Sequence, residues 1–211
     1  MPSPDDALSS ITSKRILAVE GKDEINFFNA LLKHIGITDI DIRKVGGKDQ
    51  FPDKLPTLLK ARGFFSADGS SSVTHLAIIR DKDKDDAFKS IANIVKETGL
   101  TPPTKHSEFS NNKPKVGIFV MPGETINGTM LEDLCLKTVE NHKAMTCVNE
   151  FASCISALEP APKNIPKAKA QVFLAAQPEI VDSVGLGAQK KYWDFESTAL
   201  DELKKFLMKL K

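Results

Sequence analysis

Cysteine is scarce in this chain and poorly placed for chemistry. The three present, Cys135, Cys147 and Cys154, form no C-x-x-C pair and have no paired histidine nearby, which excludes the usual zinc frameworks and leaves reduced core thiols. The four histidines, His34, His75, His106 and His142, are dispersed without ligand spacing, and no Ser/His or Cys/His pair can be read from them. Long apolar runs are missing too: none approaches the roughly 20 residues that a membrane span needs. The opening stretch, Met1 to Ser10, is polar and acidic without an apolar signal core, so the expected location is the cytoplasm, with no membrane partner. Neither sign of charge dominates. With Lys+Arg at 29 and Asp+Glu at 28, the net charge of +1 excludes a protein that is basic all over, and any nucleic-acid contact has to come from a local Lys/Arg stripe. The phosphate-loop spacing G-x-x-x-x-G-K-[ST] is absent at both Gly21-Lys22 and Gly46-Gly47-Lys48. Gly185-Leu186-Gly187 lacks a preceding strand and the third glycine of a dinucleotide fingerprint.

What is present is an alternation of apolar runs with helical patterns. Arg15 to Glu20 (RILAVE) reads as a buried strand, and Ile25, Phe28, Leu31, Leu32 and Ile35 recur at helical spacing until Gly36. Ile40 to Val45 reads as a second strand, followed by a helix carrying Phe51, Leu55, Leu58 and Leu59. Thr74 to Arg80 and Lys115 to Met121 supply a third and a fourth strand, with a helix through Phe88, Ile91, Ile94 and Val95 between them. Strands alternating with helices predict an α/β fold: a Rossmann-like parallel sheet of about four strands with helices on both faces. Helices are expected over Met130–Val139, Ala144–Leu158, Lys167–Ala176 and Thr198–Leu210. The expected division is a loose tail over residues 1–12, an α/β core over 13–125 and a helical extension over 126–211 packed on that core.

Ligands in open parallel sheets bind outside the carboxyl ends of the strands. Here those ends are acidic. Glu20 closes the first strand, Asp81 and Asp83 follow the third, and Glu132 with Asp133 opens the first helix after the fourth. Clustered carboxylates repel one another by about 4 kcal/mol per pair at 4 Å near a protein surface, and a hard divalent cation offsets that repulsion. The plainer alternatives are a solvated loop in which Lys82 and Lys84 balance the acids of Asp81 to Asp86, and a helix whose first turn carries Glu132. Gly46, Gly47 and Lys48, at the end of the second strand, offer backbone N–H groups and an ammonium to a phosphate, or form a simple tight turn. Lys167 and Lys169, with Lys163 before them, make a basic cluster at a helix start, suited to a phosphate backbone or simply solvated.

The strand ending Val19-Glu20-Gly21 with Glu24 behind it, and the later strand ending Asp81-Lys82-Asp83, resemble the Toprim domain of topoisomerases, primases, OLD-family nucleases and recombination mediators. The stretches VEGKDE, VGGKDQF, IIRDKD, MPG and LEDL are similar to a family of short, functionally uncharacterised bacterial Toprim-related proteins, and that similarity extends to Pro166-Lys167-Ala168-Lys169. The resemblance implies that Glu20 serves acid/base catalysis or metal binding and that Asp81 and Asp83 hold Mg²⁺ (or Mn²⁺). It also implies that Glu132 matches the further acid that OLD-type nucleases use for a second metal. The tyrosine domain of topoisomerases, the zinc and polymerase regions of primases and the ATPase half of OLD proteins have no counterpart; the one tyrosine, Tyr192, stands in no recognisable motif.

The expected function is Mg²⁺-dependent phosphodiester chemistry on nucleic acid, DNA or RNA. Glu20 activates water, Glu20, Asp81, Asp83 and Glu132 serve the metal, and Lys48 and Lys167 assist catalysis at the phosphate. Gly46, Gly47 and Lys169 join those two lysines in binding it. Two other readings stand beside this one: a non-catalytic module that binds nucleic acid or protein, and a phosphohydrolase acting on a small phosphorylated molecule.

Overall fold

The computed structural model describes residues 9–82 and 86–211. In chain order its elements are β1 (Arg15–Val19), α1 (Lys22–His34), β2 (Asp41–Lys44), α2 (Phe51–Leu59), β3 (His75–Asp81), α3 (Ala87–Glu97) and β4 (Lys115–Met121). These are followed by α4 (Leu131–Thr138), α5 (Met145–Ser156), α6 (Ile165–Ala175), α7 (Val184–Gln189), a 3₁₀ turn (Thr198–Leu200) and α8 (Asp201–Met208). All four strands are parallel, in the order β2-β1-β3-β4. The Asp83 expected to hold metal falls outside the described residues.

Successive side chains of a strand point to opposite faces. Leu17, Val19, Ala77, Ile79, Phe119 and Met121 therefore line one face of the sheet, and Ile16, Ala18, Leu76, Ile78, Ile118 and Val120 the other. Helices α2 and α3 cover the second face through Phe51, Leu55, Ile91 and Val95. The first face is covered by α1 and by the helices from α4 to α8, down to Phe206 and Leu210. Such double coverage explains why β1 and β3 read as unbroken apolar runs rather than alternating ones.

Three differences from the sequence reading matter for the packing. Strand β3 extends one residue further, so that Asp81 joins the ladder opposite Met121. The expected last helix is split into a 3₁₀ turn and α8, because the Ser197 hydroxyl caps Ala199 and starts the turn on its own. Gly185-Leu186-Gly187, outside the expected helices, lies in α7. A Cβ on Gly185 would stand 2.5 Å from Asp23 O, and one on Gly187 would stand 2.7 Å from Leu174 Cδ2. Those glycines serve close packing of α7 on α1 and α6, and the indole N–H of Trp193 donates to Val184 O at 2.8 Å.

The free edge of β4 is covered by the chain before it. Ser107 N donates to Ile118 O (2.9 Å) and Ser110 N to Val116 O (2.8 Å), with Phe109 bridged antiparallel to Gly117. The Phe109 ring occupies the space a side chain would need: a Cβ on Gly117 would lie 2.5 Å from its Cζ. That ring stacks on Phe206 of α8 with centroids 5.0 Å apart. Gly117→Ala is therefore expected to lose about 1–3 kcal/mol in urea unfolding, because the displaced ring loosens both the edge segment and α8.

Candidate functional site

The order β2-β1-β3-β4 makes the chain leave β1 toward one side for β2 and toward the other for β3. A crevice forms outside the carboxyl ends at such a switch point. Glu20 and Asp81 stand on its two sides. The Glu20 carboxylate spans the gap, Oε1 accepting from the Asp81 backbone N–H at 3.1 Å and from Arg80 Nε at 3.2 Å. Arg80, 3% exposed, alternates to the opposite face from Asp81 and lies with its guanidinium carbon 5.1 Å from the Phe51 ring centroid. Glu20 is thus held by a buried cation and by the backbone of the strand that carries its acidic neighbour.

Two further elements bring acids to the crevice. Glu24, in the first turn of α1, folds back over the β1–α1 turn, where a Cβ on Gly21 would meet its Oε2 at 3.0 Å. From the other side α4 begins against Asp81, whose Oδ1 accepts from Leu131 N at 3.1 Å. The loop before α4 is tied down by the Lys82 N–H, which donates to Thr129 O (2.8 Å) and Met121 O (3.1 Å). Glu132 and Asp133 then part company. The Asp133 carboxylate accepts from Thr129 N (2.8 Å) and Met130 N (3.2 Å) and so caps its own helix, whereas Glu132, 12% exposed, adds its charge to Asp81.

The electrostatic consequence falls on Asp81. Burial, followed by the charges of Glu20, Glu24 and Glu132, pushes its carboxyl up to about 8 against the opposing pull of the Leu131 N–H. Glu24 is raised by burial and then by Glu20 and Asp23. Glu132 is raised chiefly by burial, while the Lys167 ammonium, 3.9 Å from its Oε1, pulls it down. Burial followed by the same acids lifts the Cys135 thiol well above its ordinary value, which removes it as a nucleophile. Among the described residues, no three of these acids bring ligand atoms within 4.8 Å of one another. The set lines a mouth rather than closing a cage. That suits Mg²⁺, which keeps several waters and takes one or two carboxylates plus a substrate phosphate.

The expected phosphate groups divide. Gly46 N donates to Glu20 O at 3.0 Å, and a Cβ on Gly47 would lie 3.1 Å from Glu20 Oε2, so the Gly-Gly turn borders the carboxylate closely and a side chain there would press on it. Lys48 is exposed on that turn. Lys167, 63% exposed, reaches the rim of the mouth through Glu132. Lys169 lies two positions on along α6, about 200° around the helix from Lys167, and faces a different way. Sequence reasoning left Glu24 out of the acid set; its signal was the spacing that returns a first-turn helical residue to the strand end.

The model of a family described as protein of unknown function (DUF3226) matches residues 14–211. No curated protein matches this chain. Among solved structures, the chain is similar to the crystal structure of hypothetical protein PH0156 from Pyrococcus horikoshii OT3. The two are 14% identical with a TM-score of 0.60, over 93% of this chain and 94% of that one. A likeness at that identity speaks for the fold alone.

Asp81 binds its proton more tightly in the folded chain, where its carboxyl sits near 8, than in the unfolded one at 3.8. Its contribution to stability is therefore full below the unfolded value and is lost as pH rises through the folded one. Without divalent cations, the protein is expected to unfold at lower urea concentration at pH 8.5 than at pH 5.5. Asp81→Asn, which cannot ionise, should flatten that dependence. Even part of the displacement amounts to about 2 kcal/mol, within reach of paired urea titrations.

Proposed function

The chain belongs to the DUF3226 family, and we propose that it carries out Mg²⁺- or Mn²⁺-dependent phosphodiester chemistry on nucleic acid with a Toprim-like site. The observation that carries this reading is the meeting of Glu20, Glu24, Asp81 and Glu132 at the switch-point crevice, with Asp81 driven up by burial and then by its acidic neighbours. The donor set fits a hard divalent cation, because it is made wholly of carboxylate oxygens and faces a glycine turn that leaves room beside Glu20. Asp81 and Glu132 would hold the ion, with Asp83, which lies outside the described residues, as a further candidate. What such an ion supplies is Lewis-acid neutralisation of phosphoryl charge.

The chain's own residues do the rest. Glu20, fixed by Arg80 and by the Asp81 N–H, is oriented to accept a proton from water entering the crevice. Lys167 and the backbone N–H of Gly47, with Lys48, border the acids and would receive the non-bridging oxygens of a phosphate, whereas the Gly46 N–H is taken by Glu20 O. Bringing a polyanion to a mouth this acidic requires the cation first. That requirement makes the reading strict about metal dependence. One observation favours the non-catalytic alternative: the acids line the mouth without converging on a point, as a binding module could retain them without chemistry.

A cleavage assay on plasmid, single-stranded DNA and RNA with Mg²⁺ or Mn²⁺ separates the two. Cleavage by the wild type, reduced about 10²-fold or more by Glu20→Gln, is expected. Absence of cleavage together with metal-dependent oligonucleotide binding would assign a binding role, and release of phosphate from small esters alone would assign a phosphohydrolase. Because the cation must displace the Asp81 proton, calorimetry should show Mg²⁺ affinity rising from pH 6.5 to pH 8.5, with the rise lost in Asp81→Asn.

A further inference from the structure

On the outer side of β4, three segments that are remote in sequence meet at a point. His106 comes from the edge segment, Glu124 from the loop after β4, and Glu202 from the first turn of α8. One ligand atom from each lies within 4.8 Å of the others. The His106 side chain is only 10% exposed, and its Nδ1, 3.3 Å from Glu202 Oε1 and 3.9 Å from Glu124 Oε1, is buried without a hydrogen-bond partner. A contact of 3.3 Å that is not a hydrogen bond means that the oxygen stands off the axis of the ring nitrogen. Around a tetrahedral ion with bonds of about 2.0–2.2 Å, neighbouring ligand atoms are spaced about 3.3–3.6 Å apart and each stands off the other's lone-pair axis in the same way.

We propose that His106, Glu124 and Glu202 bind a borderline divalent cation of the Zn²⁺ class, separate from the acidic mouth. One imidazole and two carboxylates form a donor set that suits such an ion better than Mg²⁺. The other ring nitrogen is placed for either tautomer. Nε2 stands 2.8 Å from Val120 N and 3.2 Å from Val120 O, so it can accept from the amide with the proton on Nδ1, or donate to the carbonyl and open Nδ1 to the ion. The second arrangement is the outer bond that metal-bound histidines commonly make. It leaves the Val120 N–H without that acceptor, so the affinity is moderate rather than that of a closed structural site.

The surroundings are shaped around these donors. Glu202 Oε2 accepts from Glu124 N at 2.9 Å, which fixes one carboxylate against the backbone that carries the other. Gly123, at φ +106°, makes the turn, and a Cβ there would lie 2.6 Å from Glu202 Oε2. With three protein ligands, the fourth position opens on a cleft of about 370 Å³ bordered by Lys82, Gly123 and Glu124, where a water or an anion fits. An ion here would fasten α8 to the edge segment and to the end of β4.

The test is a calorimetric titration of the full chain with Zn²⁺ alone, run in an Asp81→Asn background so that the acidic mouth is impaired. Glu124→Ala and Glu202→Gln are compared there; Glu124 is 77% exposed, so its removal spares the fold, and glutamine keeps an acceptor for Glu124 N. About one equivalent of Zn²⁺ is expected in the Asp81→Asn protein, weakened about tenfold or more by either glutamate change and not displaced by Mg²⁺. In nitrogen-15 spectra the His106 ring should pass to the Nε2–H tautomer as Zn²⁺ is added. Zn²⁺ binding that vanishes with Asp81→Asn, or that neither glutamate change weakens, would overturn the proposal. Loss of the mouth's chemistry, by contrast, would leave this result untouched.

Discussion

The hydrogen bond from the Asp81 amide to the Glu20 carboxylate joins β1 to β3 beyond the last rung of their ladder. Everything at the mouth depends on it. It sets the side chain that ends one strand against the backbone of the other, and it places two carboxyl groups side by side in a half-dry crevice. Nothing in the hydrophobic sheet demands that pairing. It persists because Arg80, buried against Phe51 on the far face, balances Glu20 from behind and leaves Asp81 to carry the unrelieved repulsion. The arrangement separates the two carboxyls in kind: Glu20 is tied to a guanidinium and a backbone amide, whereas Asp81, buried among acids, holds its proton up to about 8.

That asymmetry continues around the rim. Lys167 offers Glu132 a partial counter-charge from the neighbouring helix α6, at a distance too long for a close ion pair. An exposed ammonium at that range contributes little to stability.

The sheet and the strand-end acids were legible because both follow from local rules: buried parallel strands are continuous apolar runs, and the residue after each run is at the carboxyl edge. Glu20 and Asp81 could be named for that reason. The division of labour between Glu132 and Asp133 could not be read, because adjacent acids at a helix start look alike until the loop geometry shows which one caps Thr129 and Met130. Helix α7 was missed because two glycines in six residues argue against a helix, and only the close approach to Asp23 and Leu174 explains them. The grouping of His106 with Glu124 and Glu202 was hidden for a different reason. Its spacing in sequence has no period, and it exists only because α8 packs back on the edge of β4.

The two faces of the sheet also differ in when they can be covered. Helices α2 and α3 lie between the strands in the chain, so their face can close as the strands emerge. The other face is begun by α1 but completed only by Leu200, Leu203 and Phe206, which are translated long after β1, β3 and β4. A nascent chain therefore leaves the ribosome with this face only partly covered, and Phe119 lacks its late partner Phe206 during that interval. Contacts of such long sequence separation also slow the final docking. For a cell making this protein, the interval before the late helices arrive is when chaperone protection counts most.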